Sequence, residues 1–157
     1  AGLRPGEALG LTWADYDRDA GTLSVSKQIT NNRLRETTKT YQSRVVNCPA
    51  VLSKILNSAV RRLHTPYILV NQYGQHYTQA EELNRPFLRV LKLLKIRYRS
   101  PYNARHTCAT VMLEAGLEPA YIAKQLGHSV QMLLQTYAEW VNDDRDAQQR
   151  ELLERYL

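Results

Sequence analysis

Cysteine is scarce in this chain of 157 residues: only Cys48 and Cys108 occur, and they lack the spacing of a CxxC pair. This excludes a disulfide-stabilised scaffold and predicts two free, buried thiols in a reducing cytosol. The sequence contains no apolar run as long as a membrane span, and no charged and then apolar leader opens it. We therefore predict a cytoplasmic protein without a membrane partner.

Metal-binding patterns are also missing. None of the four histidines belongs to an HxxxH pair or lies at zinc spacing from a cysteine. Asp15, Asp17 and Asp19 begin like a calcium-binding loop. That loop needs glycine at its sixth position and glutamate at its twelfth, where this chain has Ala20 and Ser26. We predict no metal site and interpret the three aspartates as a solvated turn.

Positive charge is in surplus, since 21 Lys and Arg stand against 15 Asp and Glu and give a formal net charge of +6. Residues 83–113 contain no Asp or Glu, and a second basic run lies between residues 27 and 44. Both runs predict a surface for nucleic-acid phosphates. Its predicted members are Arg33, Arg35, Arg44, Arg85, Arg89, Lys92, Arg97 and Arg99. Charge alone leaves DNA, RNA, a phosphorylated small molecule and a merely solvated face open.

The pattern of apolar residues predicts an α+β fold, mostly helical, with one small antiparallel sheet of three strands. Alternation over residues 22–28 predicts the first strand, and Asn31-Asn32 predicts a hairpin turn after it. A second strand is predicted up to Thr38 and a third over residues 44–48. Residues 17–21 have the composition of a turn.

Helical spacing accounts for most of the remaining chain. A capping box of Thr78 with Glu81 predicts the start of one helix. The other helices are predicted over residues 5–11, 51–63, 100–116, 119–126 and 129–137. The predicted buried face of the helix after Ser100 is Ala104, Cys108, Val111, Met112 and Ala115. Residues 143–157 form an amphipathic tail.

Five short segments carry arginine, lysine, histidine and tyrosine in a distinctive order. They are Gly2-Leu3-Arg4-Pro5-Gly6-Glu7, then Lys39 beside a predicted turn, Tyr102-x-x-Arg105-His106-Thr107, Leu126-Gly127-His128-Ser129, and Tyr137. In this order and spacing they closely resemble the catalytic domain of the tyrosine recombinase (phage integrase) family. The resemblance extends over nearly the whole chain, although each motif alone would be weak.

The resemblance implies that residues 1–157 are a catalytic domain of the DNA breaking and rejoining type. Such a domain usually begins with helices before the Arg4 motif and follows an N-terminal core-binding domain. Both are missing here, and the sequence starts at Ala1 rather than at a methionine. We therefore expect an N-terminally truncated fragment.

By this resemblance, Tyr137 is the nucleophile that leaves a 3′-phosphotyrosine. A phenol suits that task because its pKa of about 10 makes it ionisable in an electropositive site. Two guanidiniums, those of Arg4 and Arg105, would hold the non-bridging oxygens of the scissile phosphate. The bond energy stays in the intermediate, so neither ATP nor a metal cofactor is required.

The remaining site residues carry proton transfer and support. Lys39 is assigned as the general acid for the leaving 5′-hydroxyl, with Lys27 as an alternative. His106 fits as a base or hydrogen-bond partner near the phenol, and His128 as a hydrogen-bond donor to phosphate. Two supporting residues, Glu7 and Tyr102, complete the set.

Two positions depart from the family pattern. Tyr102 occupies a place that more often holds histidine or lysine, although its hydroxyl is compatible with donating to phosphate. Glu139 lies two residues after Tyr137, where a histidine is frequent.

The resemblance also implies double-stranded DNA as the partner and a homotetramer on two duplexes, with the isolated fragment a monomer. The tail over 143–157, whose apolar residues are Leu152, Leu153, Tyr156 and Leu157, either docks on a neighbouring protomer or packs on its own domain.

Three alternatives stay open. A type IB topoisomerase uses a similar residue set to relax supercoils. A non-catalytic regulator would use residues 119–138 as a helix-turn-helix, with Gly127 in the turn. A degenerate prophage remnant would retain the motifs.

Overall fold

The computed structural model describes residues 1–36, 43–137, 150–151 and 153–155. The helices within these ranges are α1 (Pro5–Gly10), α2 (Ala50–Ser58), α3 (Asn84–Leu93), α4 (Pro101–Glu114), α5 (Pro119–Leu126) and α6 (Val130–Tyr137). The strands are β1 (Tyr16–Asp17), β2 (Thr22–Val25), β3 (Gln28–Thr30), β4 (Arg33–Arg35) and β5 (Arg44–Asn47). Short 3-10 turns cover Trp13–Asp15 and Ala80–Leu83. The α+β, mostly helical class is confirmed.

The strands form two antiparallel sheets rather than the single predicted one. The three-stranded sheet has the order β1-β2-β5 and pairs Leu23 with both Tyr16 and Val46. Its first strand comes from a segment that we predicted as a turn. The second strand was predicted beside the first and third, but within the described residues β4 pairs with β3 and lies outside the three-stranded sheet.

Local backbone geometry explains the separate hairpin. Asn31 and Asn32 both have positive φ, of 51° and 60°, as a two-residue turn of a β-hairpin requires. Ile29 of β3 is buried beneath α1, and a Cβ on Gly6 would lie 2.8 Å from its carbonyl oxygen. The hairpin therefore follows α1 instead of the sheet, and β4 remains exposed.

Two apolar clusters form the core. The larger joins α4, α5 and α6 and consists of Ala109, Leu113, Ile122, Ala123, Leu126, Leu133 and Tyr137. The smaller lies between the sheet and α2 and consists of Leu11, Tyr16, Leu23, Val25, Val46 and Leu56. Helix α5 also contacts β5, from Tyr121 to Gln125, so the two halves meet along α5.

The predicted buried face of α4 is wrong by about one residue. The buried side chains are Arg105, Ala109 and Leu113, whereas Val111 is 54% exposed. Hydrophobic periodicity treats an arginine as a solvent-facing residue. Here the helix instead turns the guanidinium of Arg105 inward, and the aliphatic residues follow that rotation.

Helix ends agree with the sequence at some positions and differ at others. Gly116 and Gly127 follow α4 and α5 with positive φ, as predicted, and Ser129 caps α6 through a hydrogen bond from the Met132 amide. Helix α2 stops at Ser58, so the predicted extension to Leu63 is wrong. Glu82, not Glu81, accepts the capping hydrogen bonds of Thr78.

Several predictions lie outside the described residues. These are the Lys39 turn, Glu139, and Leu152, Tyr156 and Leu157 of the tail. In the described ranges, no helix combines the length and the apolar character needed to cross a bilayer. The same ranges hold no cluster of three His, Cys, Asp or Glu side chains suited to a metal ion. Both cysteines are free and half-buried.

Candidate active site

Four chain segments meet beside the C-terminal end of α5. Arg4 precedes α1, Arg105 lies in the second turn of α4, His128 follows α5, and Tyr137 ends α6. The backbone between α5 and α6 connects them, since Arg4 donates to the carbonyl of Gly127 (2.9 Å) and Arg105 donates to the carbonyl of Leu126. The structure therefore brings three of the predicted residues, Arg4, Arg105 and His128, to one place.

A buried carboxylate organises the sheet side of this site. Glu7 is fully buried and accepts hydrogen bonds from the Nη1 atom of Arg4 (2.9 Å) and from both Nη atoms of Arg44 (3.0 and 2.7 Å). Burial alone would raise the pKa of Glu7, but hydrogen bonds from Arg44 and Arg4 outweigh it and lower that pKa. Glu7 is therefore an ionised structural anion, in agreement with a supporting role.

Arg105 is the most enclosed cation of the site, with 2% of its surface exposed. Its Nη1 donates to the Gly2 carbonyl (2.6 Å), and its Nη2 lies 2.7 Å from Nε2 of His128. Burial, followed by repulsion from Arg4, lowers the pKa of Arg105 to about 10. The guanidinium is thus charged at neutral pH. Its Nε has no hydrogen-bond partner among the described residues.

His128 is held as a neutral ring. Burial, and then the nearby charges of Arg105, Arg4 and Arg44, lower the pKa of His128 to about 4. Because Arg105 only donates, Nε2 is the acceptor and the ring proton belongs on Nδ1. An open cleft of about 640 Å³ lies beside this ring and is lined by Lys124 and Ser129.

Tyr137 and His106 form a hydrogen-bonded pair next to Arg105. The phenolic oxygen lies 2.8 Å from Nδ1 of His106, and Tyr102 packs edge-on against the same ring, with the centroids 5.0 Å apart. Tyr137 is 3% exposed. Burial raises the pKa of Tyr137, and the charge of Arg105 opposes that rise.

Two lysines are candidates for the general acid, and the structure describes only one of them. Lys39 lies outside the described residues, so its assignment stays a prediction. Lys27 is engaged elsewhere, because its Nζ contacts Asp15 (2.9 Å) and the hydroxyl of Thr12 (3.3 Å). That ion pair leaves Lys27 a poor substitute as the general acid.

The predicted basic surface divides into exposed and buried members. Helix α3 carries Arg85, Arg89 and Lys92 at exposed positions with helical spacing, which places them along one face. Arg33, Arg35 and Arg97 are also exposed, and Arg99 is half-buried.

The prediction of an exposed, DNA-binding side chain is wrong for Arg44. Its side chain is only 7% exposed and forms an ion pair with Glu7, while its Nε donates to the Gln125 carbonyl (3.0 Å). Arg44 is therefore an internal residue rather than part of an exposed surface. The sequence offered no signal that separates it from its basic neighbours, because its partners lie 37 and 81 residues away.

Gly127 is expected to be intolerant of a side chain. Its φ is +68°, and an added Cβ would lie 2.8 Å from the Nη1 atom of Arg44, which Glu7 holds in place. Gly127→Ala should lower the free energy of unfolding by about 3 kcal/mol in chemical denaturation. The matched control is Gly116→Ala, which has φ +79° but no atom within 4 Å, and should cost only about 1 kcal/mol. Equal losses would show that the contact with Arg44 does not matter.

Acid should weaken the fold through His128. In the folded protein the pKa of His128 is about 4, below the ordinary value of 6.5. Between these two values His128 is protonated in the unfolded chain but neutral in the folded one. The free energy of unfolding should therefore fall as the pH is lowered through this interval. Denaturation curves between about pH 7 and about pH 5 should show a steeper fall for the wild type than for His128→Asn. Parallel curves would contradict the lowered pKa.

Comparison with known proteins identifies relatives of this chain. The sequence model described as Phage integrase family matches residues 1–143. Prophage integrase IntR of Escherichia coli K12 is 29% identical over 94% of this chain and 43% of its own length. The XerC-like tyrosine recombinase of Caldanaerobacter subterraneus subsp. tengcongensis is 30% identical over 82% of this chain and 40% of its own length.

The fold also resembles that of the Tn1549 transposon integrase, solved in complex with transposon right end DNA. The TM-score is 0.75 at 23% identity, and the match covers 98% of this chain and 55% of that one. The chain thus spans less than half the length of the curated relatives it matches. The match over residues 1–143, together with the shared fold, establishes that the chain belongs to the phage integrase family.

Proposed function

We propose that residues 1–157 are the catalytic domain of a site-specific DNA recombinase that integrates or excises a phage or another mobile element. The domain would cut one DNA strand with Tyr137 and form a 3′-phosphotyrosine. The observation that carries this proposal is the meeting of Arg4, Arg105 and His128 beside the Tyr137–His106 pair. Membership of the phage integrase family and its DNA-bound structural relative support it.

The two guanidiniums supply the electrostatic part of the reaction. Attack on a phosphodiester adds negative charge to the non-bridging oxygens, and fixed positive charges stabilise that state without reorganising. Arg105 is anchored by the carbonyls of Gly2 and Leu126, and Arg4 by Glu7 and the carbonyl of Gly127. Both charges are thus held in place before DNA binds.

The phenol needs a base, because burial keeps its pKa above the ordinary value. His106 is positioned for this, since its Nδ1 lies 2.8 Å from the phenolic oxygen and accepts the phenolic proton when the ring carries its own proton on Nε2. His128, which is neutral, would act on the phosphate as a hydrogen-bond donor rather than as a cation. Its Nε2 accepts from Arg105 and its Nδ1 is buried without a partner among the described residues, so the ring would have to turn toward the phosphate to donate. We assign protonation of the leaving 5′-hydroxyl to Lys39.

The partners that we propose are double-stranded DNA and further copies of the chain. Six exposed or partly exposed arginines and one lysine supply phosphate contacts; they are Arg33, Arg35, Arg85, Arg89, Lys92, Arg97 and Arg99. A tetramer would hold two duplexes, and the tail over residues 143–157 would dock on a neighbouring protomer or pack on its own domain. Free thiols and a DNA substrate favour the cytoplasm.

The proposal is tested by trapping the covalent intermediate. The complete natural polypeptide containing this chain is incubated with a pool of nicked duplexes whose central base pairs are randomised, so that no recombination site must be known beforehand. A nick beside the cut lets the short fragment diffuse away, and the protein–DNA adduct accumulates. We expect an adduct on denaturing electrophoresis in the presence of EDTA and without ATP.

The same experiment separates the alternatives. Absence of an adduct together with tight duplex binding would favour a non-catalytic regulator or a degenerate remnant. Relaxation of supercoiled plasmid without any selected sequence would favour a type IB topoisomerase. An adduct that forms only when a divalent metal is added would contradict the proposed metal-independent chemistry.

A further inference from the structure

Arg44 lies inside the site, at the wall of the cleft beside His128, and all three nitrogens of its guanidinium are bonded to protein acceptors. Its guanidinium uses Nη1 and Nη2 on the two oxygens of Glu7 and Nε on the carbonyl of Gln125. The side chain is 7% exposed and joins the first residue of β5 to α1 and to the end of α5. Because its hydrogen bonds are committed to Glu7 and Gln125, the guanidinium would act on a bound phosphate through these neighbours.

The charges of the cluster suggest what that influence is. Arg4, Arg44 and Arg105 contribute three positive charges, and Glu7 contributes one buried negative charge. With Arg44 present, Glu7 is compensated and the remaining two charges match two non-bridging oxygens. Without Arg44, Arg4 is the one cation on Glu7 among the described residues, and its Nη1 is already 2.9 Å from the carboxylate. Arg4 would then neutralise Glu7 instead of the phosphate.

We propose that Arg44 is a positioning residue for strand cleavage, one that compensates buried Glu7 and so leaves the charge of Arg4 available to the scissile phosphate. This inference rests on the proposed function. Arg44 also fixes geometry, since its fork spans from Glu7 to the carbonyl of Gln125, two residues before Gly127, which accepts from Arg4. A single-point ammonium lacks that fork.

The test asks whether removing the charge of Glu7 restores cleavage to a variant that lacks the charge of Arg44. It uses the trapping assay with the complete polypeptide and a duplex sequence recovered from the trapped adduct. Arg44→Met should slow adduct formation by roughly a hundredfold, because a misplaced catalytic charge is costly, while duplex affinity changes less than about threefold. The double variant Arg44→Met with Glu7→Gln should recover at least about tenfold of that loss, since it removes the uncompensated carboxylate. Arg44→Lys should lie between the wild type and Arg44→Met.

The control is Arg18→Met, which deletes one exposed positive charge away from the site and should leave the rate unchanged. Thermal unfolding is recorded for every variant, and rates are compared at a temperature where all are folded. If Arg44→Met does not fold there, Arg44→Gln, which also removes the charge but keeps a polar side chain, replaces it with and without Glu7→Gln, and the same rescue is expected.

Each remaining outcome counts against a stated claim. Wild-type rates in Arg44→Met, or no rescue by Glu7→Gln, would overturn the positioning role. A large loss of duplex affinity at an unchanged cleavage rate would instead make Arg44 a DNA contact. Failure of the wild-type protein to form any adduct would remove the proposed function, and the positioning role with it.

Discussion

Replacing Tyr137 with phenylalanine is expected to abolish the covalent adduct. The change removes one hydroxyl from a side chain that is 3% exposed and leaves the ring in the core cluster of α4, α5 and α6. Without a nucleophile, the rate of adduct formation should fall by on the order of 10⁴-fold or more. The fold loses one hydrogen bond to His106, worth about 1 kcal/mol. Denaturing electrophoresis gives the rate and filter binding gives the duplex affinity, which should be unchanged.

Tyr73→Phe is the matched control, because Tyr73 is 75% exposed and lies on a turn far along the chain from every site residue. It should form adduct at the wild-type rate. Persistence of the adduct in Tyr137→Phe would move the nucleophile to another residue, and Tyr102 would be the first to examine because it packs against the same histidine.

Replacing Arg105 should also remove cleavage, for an electrostatic reason. The guanidinium is the only described group that touches Gly2, Leu126 and His128 together. Arg105→Lys keeps a positive charge but loses the planar fork, and we expect adduct formation to slow by about 10²- to 10³-fold. Duplex affinity at moderate salt should change little, because we assign the phosphate contacts to the exposed arginines.

Stability must be followed in the same variants. Arg105→Ala would leave the Gly2 and Leu126 carbonyls without their donor and open a cavity, so its free energy of unfolding should fall by about 3 kcal/mol or more. Arg105→Lys fills more of that volume and is the better test of function. If Arg105→Lys cleaved as fast as the wild type, the proposed part of Arg105 in transition-state stabilisation would be refuted.

The helices with clear end signals were predictable from sequence. Pro119 begins α5 and Gly127 ends it, and Ser129 caps α6 as expected. These features depend on residues close together in the chain, which local propensity and capping describe well. The fold class was predictable for the same reason, because helices make up about half of the described residues.

The sheet was harder, because strand pairing is decided by distant contacts. The local turn at Asn31-Asn32 was correctly predicted, but its two strands form a separate sheet within the described part of the chain. β1 consists of Tyr16 and Asp17, too short for alternation to detect. Its pairing with β2 depends on the burial of Tyr16 in the smaller core cluster, between the sheet and α2.

The candidate site was predicted as a set of residues and not as a set of contacts. The family resemblance singled out Arg4, Arg105 and His128, which the structure brings together. The resemblance did not indicate that Arg105 is one of the buried residues of α4, since an amphipathic pattern predicts that an arginine faces solvent. The link between Arg44 and Glu7 was equally hidden, because charge counting assigns every arginine to the surface.

The proposed mechanism depends on the phenol of Tyr137 becoming joined to DNA. Peptide mapping of the trapped adduct by mass spectrometry, after protease and nuclease digestion, tests this directly. We expect a nucleotide phosphate on the peptide that contains Tyr137, with fragment ions placing it on that tyrosine. A nucleotide on any other residue, Tyr102 included, would show that Tyr137 is not the nucleophile.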